Sequence, residues 1–475
     1  MMAYLHLLLP ITMHAPLAAD LAQLEALLER TRIYATDVLF GVSGRPVTVK
    51  PQRPEAKTLS LAGNGFETAL ADFQTRWAPG FSGSAGPRYL GFVTGGATPA
   101  ALAGDWLTAT FDQNPISGLD STAADLERET IDWLRDMFGL SAEQRGCFVT
   151  GATMSNTVGL AIAREWVGEV KGVSIAEQGI SAVGNIPVFS GAAHSSIFKG
   201  LSMLGMGRHT LRRLPLLPNR EAVDVAALES ALAELNGEPA IVVANCGTVN
   251  TVDFDDLLAI AALKARYPFW LHIDAAFGGF AALAPQYAHL AAGLDAGDSI
   301  CIDCHKWLNV PYDSAVQFTR RRDLQLRVFQ NNAAYLGPLQ GSPDFVHLTP
   351  ENSRRLRALS AWFALSAYGY DGHRDIVERN IADAQRLGSW IAEQPQWQLL
   401  APVRMNVVCF TLAQNPSEAR LHQVVEKLRD DGEAFLTQTV LHGVWGLRAA
   451  FSNWQTVTED VQRVCAALER AEKAL

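Results

Sequence analysis

Between residues 146 and 319 the chain alternates short apolar runs with stretches of helical length, and this alternation restricts the fold more than any other feature. The runs are Gly146 to Thr150, Ile186 to Ser190, Ala240 to Cys246, Trp270 to Asp274, Ser299 to Asp303 and Ala315 to Thr319. Apolar strands joined through helices are what a parallel sheet requires when helices cover both of its faces. The pattern therefore predicts an α/β domain with a mostly parallel central sheet.

The regions on either side of this alternation differ from it. The N-terminal region has one amphipathic helix around Leu21 to Arg32 and a Pro- and Gly-rich tract from Arg45 to Gly96. A helix from about Ala124 to Phe138 leads into the first strand, and from about Ser360 a long helix precedes further strand and helix patterns. We therefore predict an N-terminal segment (1–97), a large α/β domain (98–359) and a small C-terminal α/β domain (360–475).

Composition excludes several classes of protein. The 475 residues are 48% hydrophobic and 19% charged, which is typical of a soluble globular chain rather than a disordered one. The net charge of −10 and the lack of a Lys/Arg-rich run argue against nucleic acid as a partner. No run of 18 apolar residues predicts a membrane span.

The cysteines and the N-terminus bear on location. Six cysteines, several of them inside apolar runs, do not form the pattern of a disulfide framework, so we expect a reducing, cytoplasmic compartment. The apolar stretch near the start has no preceding Lys or Arg and is interrupted by His6 and Pro10, which is unlike an export signal. Met1 and Met13 are both possible starts.

Two ionisable side chains follow strands of the predicted sheet. Asp274 ends one apolar run, and Lys306 comes shortly after another. The carboxyl ends of such strands form the edge where open α/β sheets bind ligands. Each residue alone has an ordinary alternative, a lysine that reaches solvent or an aspartate that caps a loop. Together they match what pyridoxal phosphate needs, an amine for its aldehyde and a carboxylate for its ring nitrogen.

Other strand ends supply candidate contacts for the rest of that cofactor. Phe148 to Thr157 reads as strand, small-residue turn and helix start, so backbone N–H groups and the helix dipole converge there on one point, as a phosphate requires. This segment lacks the lysine of a P-loop and the glycine spacing of a dinucleotide-binding motif, which argues against a nucleotide as its ligand. His194 follows another strand and could stack on a ring and move protons, although a capping histidine is an equal alternative. Thr248 is the best-placed hydroxyl of a fourth loop, and small residues such as Ala276 leave room for a planar ring.

The segment from Cys301 to His305 has the spacing of c-type haem attachment, and paired cysteines also occur in zinc and redox sites. A zinc site needs a second pair at compatible spacing, which the sequence lacks. Side chains alternate along a strand, so Cys301 and Cys304 are predicted to point to opposite faces. We therefore expect no haem and no metal here.

Taken in order, these motifs resemble the group II pyridoxal-phosphate-dependent decarboxylases, a family that includes aromatic-amino-acid, histidine, glutamate and diaminobutyrate decarboxylases. The resemblance runs from about Tyr89 to Gly369, and Asp303 to Trp307 is similar to the family's His-Lys motif. It implies the type I fold of pyridoxal-phosphate enzymes, pyridoxal 5'-phosphate as cofactor, and conversion of an L-amino acid to its amine and carbon dioxide. It also implies a homodimer with active sites at the interface.

The resemblance also implies roles for individual residues. Lys306 would form an aldimine with the cofactor, Asp274 would pair with its ring nitrogen, and His194 would stack on the ring and assist proton transfer. Implied cofactor contacts are Thr153, Met154, His194, Thr248, Asp274, Ala276, His305 and Lys306. Phe92, Thr94 and Arg354 are implied substrate contacts. Tyr335 lies where the family has a mobile loop, and it would return a proton to the carbon that has lost carbon dioxide; a phenylalanine there would favour oxidative aldehyde formation.

The sequence departs from the aromatic-amino-acid members at three places. Asp303 stands where those members have an asparagine that contacts phosphate, and Val346 stands where some have an arginine. The stretch from Asp112 to Pro115 in the substrate pocket also differs. These changes leave fold and reaction type in place, and they leave the amino acid that is decarboxylated unidentified.

Two other classes of function share parts of this pattern. A carbon–carbon lyase of the sphingosine-phosphate-lyase kind, or an aminotransferase, would use the same lysine, aspartate and phosphate site. A catalytically idle relative would act as a binding protein. Assays for amine and carbon dioxide distinguish these alternatives from a decarboxylase.

Overall fold

The computed structural model describes residues 13–50, 53–331 and 343–475. The N-terminal part of the chain forms α1 (Ala15–Ala22), α2 (Leu24–Phe40), α3 (Gly65–Arg76) and α4 (Pro99–Phe111). One amphipathic helix was predicted around Leu21 to Arg32, and the structure has two helices there because the backbone at Gln23 leaves the helical conformation.

A seven-stranded sheet forms the centre of the protein. Its strands are β1 (Arg145–Val149), β2 (Val188–Ser190), β3 (Leu211–Arg213), β4 (Ala240–Asn245), β5 (Phe269–Asp274), β6 (Ser299–Ile302) and β7 (Ala315–Thr319). They lie in the order β1-β7-β6-β5-β4-β2-β3. Only β7 runs antiparallel to its neighbours, which confirms the predicted mostly parallel sheet of an α/β fold. Edge strand β3 was not predicted, because it has three residues and two of them are exposed arginines.

Helices cover the sheet, as the apolar strands require. They are α5 (Ala123–Met137), α6 (Ala152–Val170), α7 (Ile175–Gln178), α8 (Ser195–Met203), α9 (Val225–Ala233), α10 (Leu257–Ala262), α11 (Cys304–Trp307) and α12 (Arg322–Phe329). Every residue of β4, β5, β6 and β7 is buried, so no face of these strands meets solvent.

A second, four-stranded antiparallel sheet lies near the C-terminus. Helix α13 (Ala358–Glu393) leads to it, with a non-helical backbone at Gly369 (φ 57°), a conformation that glycine adopts readily. The strands are β8 (Trp397–Leu399), β9 (Val407–Leu412), β10 (Thr437–Leu441) and β11 (Val444–Ala450), and the helices are α14 (Glu418–Asp431) and α15 (Thr458–Lys473). This sheet has its own hydrophobic cluster. The exact domain boundaries given above stay predictions.

None of the helices in the described ranges combines the length and the apolar character needed to cross a bilayer.

Candidate active site

The C-terminal ends of strands β1, β2, β4, β5 and β6 lead into loops that surround one cavity of about 450 Å³. Nine of the residues predicted to bind cofactor or substrate line this cavity: Phe92, Thr153, Met154, His194, Thr248, Asp274, Ala276, His305 and Lys306. They come from segments far apart in sequence, and the parallel order of the strands brings them together at one edge.

Lys306 lies in the short helix α11, directly after β6. Its side chain is 17% exposed, and its Nζ is 3.4 Å from Oδ2 of Asp303. The ammonium also lies 5.4 Å from the centre of the Phe277 ring. The neighbouring His305 ring packs against Tyr312 at 4.3 Å, and its Nδ1 is 2.8 Å from Oδ1 of Asp303, at an angle unsuited to a hydrogen bond. Lys306 is thus an amine that faces a cavity from a largely buried position.

The Asp274 carboxylate at the end of β5 is held by two donors. Asn156 Nδ2 donates to Oδ2 at 2.9 Å, and the backbone N–H of Ala276 donates to Oδ1 at 3.2 Å. The residue is 7% exposed, and it lines the cavity. A carboxylate fixed in this way can stabilise a cationic ring nitrogen.

His194 caps the N-terminus of α8. Its Nδ1 accepts from the backbone N–H of Ser196 at 3.2 Å and lies 2.8 Å from Ser196 Oγ. Burial lowers the pKa of His194, and the Lys306 and Arg448 charges lower it further, against the opposing effect of Asp274. The imidazole is therefore neutral at pH 7. His194 therefore both caps α8 and lines the cavity.

The N-terminus of α6 forms the candidate phosphate site. The N-cap residue is Gly151, which has no side chain that could accept hydrogen bonds from the first-turn N–H groups of α6. The first-turn residues Ala152, Thr153 and Met154 line the cavity. The N–H of Ala152 donates to Asp303 Oδ2 at 3.3 Å. The departure at position 303 therefore puts a carboxylate next to this helix N-terminus. The N–H groups of Thr153 and Met154 remain available to an anion.

These features fit pyridoxal phosphate. Backbone donors at a helix N-terminus suit its phosphate, the Asp274 carboxylate suits its ring nitrogen, and the Lys306 amine suits its aldehyde. Small residues between them leave the space that a planar ring needs.

Two glycines let segments approach the cavity closely. A Cβ on Gly95 would lie 1.9 Å from the carbonyl oxygen of Lys306, so only glycine allows the N-terminal segment to pack there. Gly247 has a φ of +98°, and a Cβ on it would lie 2.6 Å from Gly278 Cα. Phe92 reaches the cavity on the same N-terminal segment. Thr94 is buried beside it and does not line the cavity.

Several residues around the cavity were missed by sequence reasoning. Buried Glu221 accepts a hydrogen bond from the Thr248 hydroxyl at 2.7 Å, so the hydrogen of that hydroxyl is not free for a ligand in the cavity. Arg448 on β11 lines the cavity, and its guanidinium donates to the carbonyl oxygens of Val249 and Gly91. Asn156 stood only at the end of the predicted phosphate loop. Tyr312 also lines the cavity and was missed, although its position shortly after Lys306 in the sequence was a usable signal. No local signal marked Arg448.

Arg354 does not line this cavity, in contrast to its predicted substrate contact. Its Nη1 and Nη2 donate to Glu127 Oε2 and Oε1 at 2.9 and 2.8 Å, and both side chains are buried. This bidentate pair holds both terminal nitrogens of the guanidinium against Glu127, so the geometry gives the substrate role no support. Tyr335, the predicted proton donor, lies outside the described residues.

The two cysteines of the haem-like motif are buried and unpaired with each other. Burial raises the pKa of both Cys301 and Cys304, so their thiols stay protonated. In the described parts of the chain, no group of three or more His, Cys, Asp or Glu side chains is arranged to hold a metal ion.

Comparison with known proteins agrees with the chemistry of this cavity. The profile of the pyridoxal-dependent decarboxylase conserved domain matches residues 48–413. The aromatic-L-amino-acid decarboxylase of Sus scrofa is 28% identical over 444 residues, covering 88% of this chain and 89% of that protein. That of Bacillus atrophaeus is 26% identical over 392 residues, covering 80% and 79%.

Solved structures show the same fold. Tryptophan decarboxylase of Catharanthus roseus in complex with L-tryptophan is 20% identical and superimposes with a TM-score of 0.84, covering 96% of this chain and 99% of that chain. Mouse CSAD is 21% identical with a TM-score of 0.86, covering 95% and 99%. The family profile spans most of the chain, and the cavity holds the groups that its cofactor needs. The chain therefore belongs to the pyridoxal-dependent decarboxylase family and is an amino-acid decarboxylase that uses pyridoxal phosphate.

Proposed function

We propose that this decarboxylase acts in the 450 Å³ cavity at the sheet edge, with Lys306, Asp274 and His194 as its central groups. The observation that carries the proposal is that an amine, a carboxylate and a neutral imidazole from three separate strand ends line one cavity beside a helix N-terminus. Pyridoxal phosphate, when bound, supplies a conjugated ring that accepts the electron pair released as a bond to the substrate α-carbon breaks.

The residues of the chain have distinct tasks in this proposal. Lys306 would provide the amine for the cofactor aldehyde. Asp274, held by Asn156, would stabilise a protonated ring nitrogen. The backbone of Thr153 and Met154 holds the phosphate. His194 presents a ring face and a proton to the reacting groups. Tyr335 is proposed to return a proton to the α-carbon.

We propose an aromatic L-amino acid as the substrate. Phe92 and Tyr312 line the cavity with side chains that are 53% and 59% exposed, so they offer aromatic surface to a ligand, and Phe277 lines it as well. Aromatic rings pack favourably against such surfaces. The Sus scrofa and Bacillus atrophaeus relatives are named as aromatic-L-amino-acid decarboxylases, which supports the same class.

An acidic amino acid is the second candidate, because of Arg448. Its side chain is buried, and within the described ranges its guanidinium donates only to the carbonyl oxygens of Gly91 and Val249. A substrate side-chain carboxylate would supply the missing anionic partner.

Carbon dioxide release from a panel of aromatic, acidic and basic L-amino acids tests the substrate class. We expect kcat/KM to be at least about tenfold higher for an aromatic substrate than for glutamate or aspartate, a difference of about 1.4 kcal/mol in transition-state binding. Higher activity on an acidic substrate, together with a fall in the acidic-to-aromatic kcat/KM ratio in Arg448→Met, would replace the first candidate by the second. Absence of carbon dioxide from every substrate would contradict the assignment of the reaction to this cavity.

We propose that the protein is a homodimer. Leucines recur every three or four residues along α1 and α2 with large exposed fractions, as at Leu17 (62%), Leu21 (61%), Leu24 (50%) and Leu28 (61%). The two helices bury only one residue, Leu27, against the rest of the subunit. An apolar stripe of this kind is stable in water when a second copy of the chain covers it.

Light scattering tests the dimer. The wild-type protein is expected to have twice the chain mass, and the double variant Leu21→Glu/Leu28→Glu is expected to shift toward the monomer because it places charges in the covered stripe. Leu258→Glu, at another exposed leucine on α10, is the control and should leave the mass unchanged. A fully active wild-type monomer would contradict the proposal.

We also propose a cytoplasmic location. The six cysteines are all free thiols, and five of them are buried, which suits a reducing compartment. Fractionation of cells that express the full chain would test this.

A further inference from the structure

One buried amide contacts Asp274 directly and is connected to His194 through one serine. Asn156 lies on α6, and it is fully buried without lining the cavity. Its Nδ2 is 2.9 Å from Asp274 Oδ2 and 3.0 Å from Ser196 Oγ. Ser196 Oγ is in turn 2.8 Å from His194 Nδ1. Asp274 and His194 are therefore linked through two side chains, those of Asn156 and Ser196.

The orientation of this amide follows from its neighbours. A carboxylate only accepts hydrogen bonds, so the NH₂ group of Asn156 must face Asp274 and the carbonyl Oδ1 must face the other way. Oδ1 lies 2.9 Å from His272 Nε2. That nitrogen must therefore carry a hydrogen.

The far side of His272 is compatible with this arrangement. The Trp270 Nε1–H, which can only donate, lies 2.9 Å from Ser299 Oγ. Ser299 then directs its own hydrogen to His272 Nδ1, 2.8 Å away. Burial lowers the pKa of His272 to about 4, so the ring is neutral and has one donor and one acceptor nitrogen. Asn156 thus assigns the hydrogen to Nε2, and Ser299 can donate to the unprotonated Nδ1 while it accepts from Trp270.

The same direction extends to His194. One Nδ2 hydrogen of Asn156 goes to Asp274, and the other goes to Ser196 Oγ. The Ser196 hydroxyl already accepts from the amide, and its hydrogen points to His194 Nδ1, which also accepts from the Ser196 backbone N–H at 3.2 Å. With Nδ1 occupied by two donors, the ring hydrogen of neutral His194 lies on Nε2.

We propose that Asn156 is a positioning residue that orients the Asp274 carboxylate and, through Ser196, reinforces the Nε2–H tautomer of His194, which the Ser196 backbone N–H also favours. The inference rests on the proposed function, which gives Asp274 and His194 their roles. Its consequence is that the free ring nitrogen of His194, which lines the cavity, is a hydrogen-bond donor and not an acceptor. Any change at Asn156 is expected to alter both groups at once.

The tautomer can be measured directly in the wild-type holoenzyme. Long-range ¹⁵N–¹H NMR with labelled histidine, with His194 identified from the signal missing in His194→Gln, should show an unprotonated Nδ1 and a protonated Nε2 at His194. A proton on His194 Nδ1 would overturn the proposal. This measurement needs no Asn156 variant, so it stands even if Asn156→Ala does not fold.

Variants test the link through Asn156. In Asn156→Ala we expect a mixture of His194 tautomers. We also expect the dissociation constant of pyridoxal phosphate, measured by titrating the apoprotein, to rise by about tenfold or more, because the charged Asp274 carboxylate loses a hydrogen-bond donor. Asn406→Ala is the control, since Asn406 is equally buried but donates to Phe451 O in the small domain. It should leave both readouts at wild-type values. A wild-type tautomer and dissociation constant in Asn156→Ala would overturn the proposal.

Ser196 variants separate the two branches. Ser196→Ala should disturb the His194 tautomer, and Ser196→Thr, which keeps the hydroxyl, should restore it. An unchanged tautomer in Ser196→Ala would overturn the branch to His194. Failure of the proposed function would look different, because Lys306 would then escape labelling by borohydride whatever the state of His194.

Discussion

Replacing Lys306 with alanine is expected to abolish amine and carbon dioxide formation, by at least about 10⁴-fold, because no other lysine of the described residues lines the cavity and could bind the cofactor aldehyde. The variant should also lose the visible absorbance of the lysine-bound cofactor. Borohydride reduction of the wild type followed by peptide mapping should label Lys306. Circular dichroism would check that the fold is retained.

Lys427→Ala is the matched control for this experiment. Lys427 is an exposed lysine on α14 that does not line the cavity, so its removal should change neither absorbance nor turnover. Retention of turnover and absorbance in Lys306→Ala, or labelling of a different lysine, would show that the assignment of the amine is wrong.

Replacing Asp274 with asparagine is expected to lower kcat by about 10²- to 10³-fold, the range seen when one preorganised electrostatic partner is removed from a reacting centre. The substitution keeps the size of the side chain and lets Asn156 continue to donate at Oδ. It removes the negative charge that stabilises a proton on the ring nitrogen. Single-turnover kinetics with saturating cofactor would measure the loss separately from weaker cofactor binding.

Asp383→Asn is the control for Asp274. Asp383 is also buried, but it pairs with Arg386 on α13 and does not line the cavity. Its replacement should leave kcat within about twofold of wild type, since charges removed far from the reacting centre change it little. A kcat for Asp274→Asn equal to that of this control would exclude Asp274 as the ring-nitrogen partner.

The sequence predicted the strand-end residues because their signals are local. An apolar run followed by a polar or small residue marks the end of a buried strand, and parallel strands bring such ends to one edge. Asp274, Lys306 and His194 were found in this way, and so was the loop at Gly151. The resemblance of consecutive motifs to one family added the cofactor and the reaction, which the family profile confirms.

Contacts between distant segments were not predictable in the same way. Arg354 looked like a substrate contact, yet its partner Glu127 lies 227 residues away in sequence. Arg448 reaches the cavity from β11 and donates to Gly91, 357 residues away. No local pattern marks either residue, because each depends on how the small domain or α5 packs against the rest.

Sequence alone thus determined the α/β class, and it predicted that the amine, carboxylate and imidazole that line the cavity lie at one edge of the sheet. Tertiary structure alone decided that Asn156, 118 residues from Asp274, connects that carboxylate to His194, and that Arg354 is held by Glu127 instead of facing the cavity. The physical reason is that helix and strand patterns arise between near neighbours in the chain. The partner of a buried polar group depends instead on which elements the completed fold sets side by side.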